Sequence, residues 1–208
     1  MAGESFEDVL GFWFPPHLSR GVGPQQLEWW FRGGSNAEIQ RRFRALHERA
    51  MRGELAAWSR AARSRLALIL VFDQFSRGLH GGAAEAFAQD AHARSLTLEG
   101  LENGHYASLA TPWEKTFFFL PLGHSEDLAH QEQAVALAEA LAREAAPAER
   151  ALLEHSASQA RGHRDVIARF GRHPHRNAVL GRTSTPEELA YLAKGDLVHQ
   201  RSVPQDGA

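Results

Sequence analysis

The chain has 208 residues, enough for one sizeable hydrophobic core, and nothing in its length requires a second domain. Its 23 basic and 25 acidic residues leave a formal charge of −2, which excludes a surface built throughout to grip a polyanion and argues against nucleic acid as a partner. There is no cysteine, so disulfides, thiolate metal sites and a cysteine nucleophile are excluded too. The start, MAGESFEDVL, lacks the basic and apolar regions of a secretory signal, and no apolar run reaches the ~18 residues of a membrane span. The expectation is a soluble, cytoplasmic protein that makes no use of a membrane.

Along the chain the apolar period is helical almost everywhere. Ser5 and Asp8 make a capping box before Val9, Leu10, Trp13 and Phe14, and Pro15 with Pro16 ends that segment. LEWWF, at 27–31, is a short aromatic element before Gly33 and Gly34. Ser35 and Glu38 repeat the cap pattern, and Ile39, Phe43, Leu46 and Ala50 then step along one face toward a stop at Gly53. The stretch 64–77 has the apolar composition of a buried strand, but its length and the spacing of Asp73 and Arg77 favour helix.

A helix over 84–102 should stop at Asn103-Gly104. Thr111, Pro112 and Glu114 are the clearest helix start in the chain, and Pro121 with Gly123 is read as breaking that helix after FFFL. Ser125 can cap the next helix, which runs to Pro147. The following pattern extends through Leu152, Leu153, Ser156, Ala160, His163, Ile167 and Phe170 until Gly171. Thr185, Pro186 and Glu188 open a last short helix. Together these predict one all-α domain over residues 1–193, a bundle or superhelix of about seven helices, with 194–208 a disordered tail.

Three polar segments interrupt apolar surroundings. In FDQFSRG, Asp73 is a candidate general base, Gln74 an orienting amide and Arg77 an anion clamp; the same spacing equally makes an internal ion pair. In LPLGHSEDLAHQE, His124 beside Glu126 is a candidate acid/base pair, while acids at a helix start also serve as plain caps. Glu126 and His130, one turn apart, could present a metal from one helix face, but no second motif completes a ligand set, and no metal or other cofactor is expected. In HRDVIARFGRHPHRN, Asp165 and Arg169 have the spacing of an exposed pair. RHPHRN reads as a turn from which Arg172, His173, His175, Arg176 and Asn177 radiate, suited to a carboxylate or phosphate or to capping helix carbonyls.

FWF at 12–14, WWF at 29–31, DQF at 73–75, LPLGHSED at 120–127, RFGRHPHRN at 169–177 and LGRTSTPEEL at 180–189 resemble, in kind and order, the bacterial family of unknown function numbered 924. The likeness spans roughly residues 5–193. It implies an all-α fold near the tetratricopeptide-like superhelices, although this chain carries no tetratricopeptide consensus, and it implies no activity. Four positions depart from the family's pattern: Ser76 and Gly78 stand where Pro and Asn are usual, Gly123 where Met is usual, and His173 where Phe is usual.

Two readings follow. In one, Gln74, Arg77, Arg172, Arg176 and Asn177 hold a small anionic ligand, Asp73 or Glu126 serves as base and His124 or His175 relays a proton, with FWF, WWF and FFF walling the cavity. In the other, the helices form an interaction module for a protein or peptide partner, with no catalysis and the polar motifs as internal ties. The composition leaves open whether the protein is an enzyme.

Overall fold

The computed structural model describes residues 4–195, 197 and 198; the rest of the stretch read as a tail lies outside the described residues. Eleven α-helical segments are present among them: α1 (Phe6–Trp13), α2 (Pro24–Phe31), α3 (Asn36–Arg42), α4 (Arg44–Met51), α5 (Ala62–Leu70), α6 (Ser76–His80), α7 (Asp90–Glu102), α8 (Pro112–Gly123), α9 (Leu128–Glu144), α10 (Arg150–Phe170) and α11 (Pro186–Ala193). A π-helical turn, Val71–Phe75, carries α5 into α6 as one rod, which makes ten helices among the described residues, with no strand. The all-α expectation holds, and the count exceeds seven for local reasons. LEWWF lies in a true helix, and the segment read as one helix from Ser35 to Gly53 divides at Phe43, whose φ of −110° and ψ of 1° leave the helical ladder. Among the described residues no helix is long and apolar enough to cross a membrane.

Where caps are local, sequence and structure agree. Ser5 with Asp8 and Thr185 with Glu188 form reciprocal capping boxes. The Thr111 hydroxyl accepts from the Glu114 N–H while the Glu114 carboxylate accepts from Thr111 and Ala110 N–H. Gly171, at φ +67°, ends α10 by donating its N–H to the Ile167 carbonyl. Three expectations are corrected. Ser35 has αR backbone angles and makes no side-chain cap; Pro121 sits inside the last turn of α8, where it removes a single ladder bond and the helix runs on to Gly123; and Asp127 rather than Ser125 caps α9, accepting from Ala129 and His130 N–H.

The chain divides into two compact units, one of residues up to Gly81 with Glu85–Pro121, the other of Gly82–Ala84 with the residues from Leu122 onward. The first has an aromatic core. Trp13, Phe43, Phe75, Phe117 and Phe118 are fully buried. Trp13 meets Phe117 edge-on at 5.4 Å, Phe43 meets Phe75 at 4.9 Å, and the Trp30 indole donates to the Trp13 carbonyl at 2.9 Å. The segments read as candidate cavity walls therefore pack against one another as core.

In the same unit Gly100 of α7 lies against α8. A Cβ there would overlap the Phe118 ring, reaching its Cε1 at 2.8 Å and the Arg65 Cδ at 2.9 Å, while Thr97 donates to the Phe118 carbonyl at 2.7 Å. Alanine in a helix interior normally gains ~1 kcal/mol over glycine. Here overpacking outweighs that gain, because Phe118 is fully buried and has nowhere to move. Gly100→Ala is expected to lose ~1–3 kcal/mol in urea unfolding; an unchanged midpoint would mean the α7–α8 contact is not tight.

The second unit is led by α9 and α10, consecutive helices joined by a short connection and in contact along their length. Their buried faces, Ala134, Ala138 and Leu141 on one and Leu152, Leu153 and Ala157 on the other, are small enough at several positions for close approach.

Candidate functional site

In the second unit the break between α8 and α9 is held from within by Gln131. Its fully buried amide donates to the carbonyls of Gly123 at 2.7 Å and Ser125 at 2.6 Å, which fixes the intervening His124 and the start of α9. His130 places Nδ1 3.0 Å from the Ser125 hydroxyl, and among the described residues no three His, Cys, Asp or Glu side chains are arranged so that they could hold a metal ion. Glu126 faces the RHPHRN turn. Its carboxylate takes a two-pronged grip from Arg182, at 2.7 and 3.0 Å, and the backbone N–H of His173 at 2.8 Å. Burial raises the Glu126 pKa, but hydrogen bonds from Arg182 and the His173 N–H, with the charges of Arg182 and Arg176, outweigh it and hold the carboxyl below its ordinary value.

The RHPHRN stretch folds back as a 3-10 turn, Pro174–Arg176, and its side chains turn inward rather than radiating. Arg172 forks onto Glu188, Nε to one carboxylate oxygen at 2.6 Å and Nη2 to the other at 2.8 Å, and also donates to the Thr183 carbonyl. Asn177 donates to the same carboxylate and to the Ser184 hydroxyl. Arg176 donates to the His124 carbonyl at 3.0 Å, tying the turn to the helix break.

Four imidazoles gather at this point. His173 is 1% exposed, its ring 5.6 Å from that of His163 and 5.3 Å from that of His175, with His124 near enough to act on its charge. Neither ring nitrogen of His173 has a hydrogen-bond partner among the described residues. Burial first, then Arg176 and the three neighbouring imidazoles, push its pKa far below the usual histidine value, so the ring is neutral. It carries one N–H donor and one lone pair.

In the first unit the π-helical turn carries Asp73 and Gln74 inward. Asp73 is 1% exposed; one carboxylate oxygen accepts from Gln74 at 2.6 Å and the other lies 3.1 Å from Arg77 Nη1. Arg77 also donates to the Asp73 carbonyl at 2.6 Å and reaches Asp90 with its other prong at 3.1 Å. The Arg77 guanidinium is thus held by carboxylates on both sides. A π-helical turn costs helix regularity and recurs at functional positions, here serving to aim a charged side chain into an apolar rod.

A family of sequences described as a bacterial protein of unknown function, DUF924, matches residues 9–196. The chain belongs to this family. It is similar to a solved structure of a protein of unknown function from Agrobacterium tumefaciens, at 36% identity over 91% of this chain and 97% of that one, with a TM-score of 0.74. None of the curated proteins matches.

Within this DUF924 chain, Asp73, Gln74 and Arg77 lie in the first unit, and His124, Glu126, Arg172, His175, Arg176 and Asn177 are brought together in the second. The residues that complete the second group, Arg182, Glu188, His163 and His173, had weaker sequence signals. Glu188 showed only as the third residue of a capping box, which it is, but the same carboxylate also receives Arg172 and Asn177. The departures from the family pattern differ in kind. Ser76 places its hydroxyl 2.8 Å from Nε2 of buried His47, whose pKa burial and then His80 lower to about 4. At Gly78 a Cβ would stand 2.8 Å from Ile39 Cδ1 and 3.2 Å from Asn36 Oδ1, so the space of a side chain is already filled. A Cβ at Gly123 would meet nothing within 4 Å, so packing does not impose glycine there.

Glu188 gives the DUF924 turn an acid limit. The Arg172 fork, with help from the Thr185 N–H and Asn177, lowers its pKa from an ordinary 4.5 to about 2. Folded, the carboxylate keeps its charge down to about pH 2; unfolded, it takes a proton near 4.5. Its stabilisation is whole above 4.5 and is lost as the pH falls toward 2. Glu188→Gln is expected to flatten the loss of stability across that window, as read by urea unfolding at several pH values. A variant with the wild-type slope would assign the acid sensitivity elsewhere.

Proposed function

We propose that the second unit binds a small anionic metabolite, bearing a phosphate or carboxylate, at the imidazole cluster around His173. The observation that carries this reading is the His173 ring, buried with both nitrogens unpartnered among the described residues, where a buried polar group normally has a partner. Three guanidiniums, Arg172, Arg176 and Arg182, surround the turn against the two carboxylates of Glu126 and Glu188, so these five groups carry an excess positive charge. Glu126 acts as an anchor in this reading. A carboxylate held ionised by three hydrogen bonds is a poor general base near neutral pH, so binding is favoured over turnover.

Phe at this position, which the resemblance read from the sequence implies as usual, keeps a ring there and removes its two nitrogens. The test is a thermal-shift series with inorganic phosphate, small carboxylates and phosphorylated metabolites, on the wild type and on His173→Phe. A ligand for the folded state raises the melting temperature with concentration. A shift in the wild type that is absent in the variant supports the reading; equal shifts in both, or none in either, reject it.

A further inference from the structure

A second, separate feature of the same unit is a groove of about 480 Å³ between the C-terminal half of α10 and α11. It follows from sequence spacing. Arg161, Gly162, Asp165, Val166 and Arg169 fall at i, i+1, i+4, i+5 and i+8 on α10, one stripe of a helix, and Gly162 adds depth by contributing no side chain. Tyr191 of α11 and Lys194 just beyond it face that stripe. None of the residues of the His173 cluster lines the groove.

The lining has two characters. Val166 and Val198 are buried apolar groups, and beside them Phe170 and Tyr191 pair at 5.2 Å with their rings tilted by 47°, both half-buried. Arg169 lies 4.8 Å over the Phe170 ring, setting a planar guanidinium beside the aromatic pair. Among the described residues, three cations, Arg161, Arg169 and Lys194, and one acid, Asp165, stand against the aromatic part. Arg161 and Arg169 are engaged by Glu139 and Glu187 in exposed pairs, 2.8 and 2.7 Å long. Exposed pairs are worth little, so an incoming anion can take over either guanidinium at small cost.

We propose that this groove binds a small ligand that joins a planar ring to an anionic group, of the nucleoside monophosphate class. The volume is that of a small-molecule site rather than of an extended peptide track. The aromatic pair and Arg169 offer a stacking face to the ring, and Arg161 with Lys194 supplies charge for the phosphate.

The experiment titrates adenosine monophosphate, adenosine and inorganic phosphate separately into 15N-labelled protein at physiological salt, following the backbone amides of Gly162 and Lys194. The nucleotide is expected to move both signals and to bind about tenfold or more tightly than either half alone. Lys194→Glu, at an exposed position, and Tyr191→Ala, at a half-buried one, should each weaken it about tenfold or more with unchanged circular dichroism. Signals that stay still at millimolar nucleotide, phosphate binding as tightly as the nucleotide, or binding indifferent to both variants would each overturn the proposal.

Discussion

Arg77→Ala is expected to destabilise the protein by ~3–5 kcal/mol at neutral pH, because it removes the arginine that pairs with a buried carboxylate. Asp73 is 1% exposed, with the Gln74 amide on one carboxylate oxygen and Arg77 beside the other, and Asp90 would lose the other prong of the same guanidinium. Breaking one side of such a pair costs more than the pair contributes, since the carboxylate stays buried after its arginine is gone. The double variant Asp73→Asn with Arg77→Ala should recover at least ~1 kcal/mol of that loss, as a neutral amide no longer needs the arginine. Urea unfolding followed by tryptophan fluorescence reads both. If Arg77→Ala lies within ~1 kcal/mol of the wild type, the Asp73–Arg77–Asp90 chain is not what holds the turn. The prediction also bears on function: an arginine carrying two carboxylates is a tie, and its removal would confuse any binding assay by loosening the fold.

His173→Phe should act in the opposite direction. A buried ring with two unpartnered nitrogens costs ~1–3 kcal/mol relative to an apolar group of similar shape, so the variant is expected to be more stable by about that amount at pH 7. The gain should widen in acid. Burial and nearby positive charge keep the folded imidazole neutral, whereas the unfolded one takes a proton below its ordinary 6.5. With a folded pKa so far lowered, the titration of His173 adds nothing to that cost well above pH 6.5 and a growing amount below it, ~1.4 kcal/mol for each further pH unit. Wild type should therefore lose stability between pH 7 and 5 more steeply than the variant. The variant keeps a residual slope from His47, which is held down to about 4 in the same way. A variant that is less stable and titrates like the wild type would show that the imidazole has a partner and that the cluster is structural. Greater stability together with loss of a ligand shift is the pattern of a site maintained at the expense of the fold.

What the amino-acid order determined by itself is what local chemistry decides. The capping boxes at Ser5, Thr111 and Thr185 and the stop at Gly171 involve groups within a turn of one another, so residue identity and spacing suffice to place them. The helical character of the apolar stretch around LALILVF was legible for the same reason, from its length and the Asp73–Arg77 spacing. The π-helical turn within it was not, because no residue type marks that turn and the i,i+4 pattern survives across it.

Pairing between charged groups far apart in the chain was decided by tertiary structure. Asp165 and Arg169 have the favourable helical spacing, yet Asp165 pairs with Arg164 and Arg169 with Glu187, both brought within 2.7 Å. Arg182 grips Glu126 across 56 positions and Arg172 grips Glu188 across 16, choices that depend on where the turn after Gly171 lands. The same landing buries His173 among three other imidazoles. A histidine beside a proline in an arginine-rich stretch reads as surface; only the packing of that turn against the helix break makes it a core residue with unmet hydrogen bonds, because burial is a property of the whole unit and not of the segment.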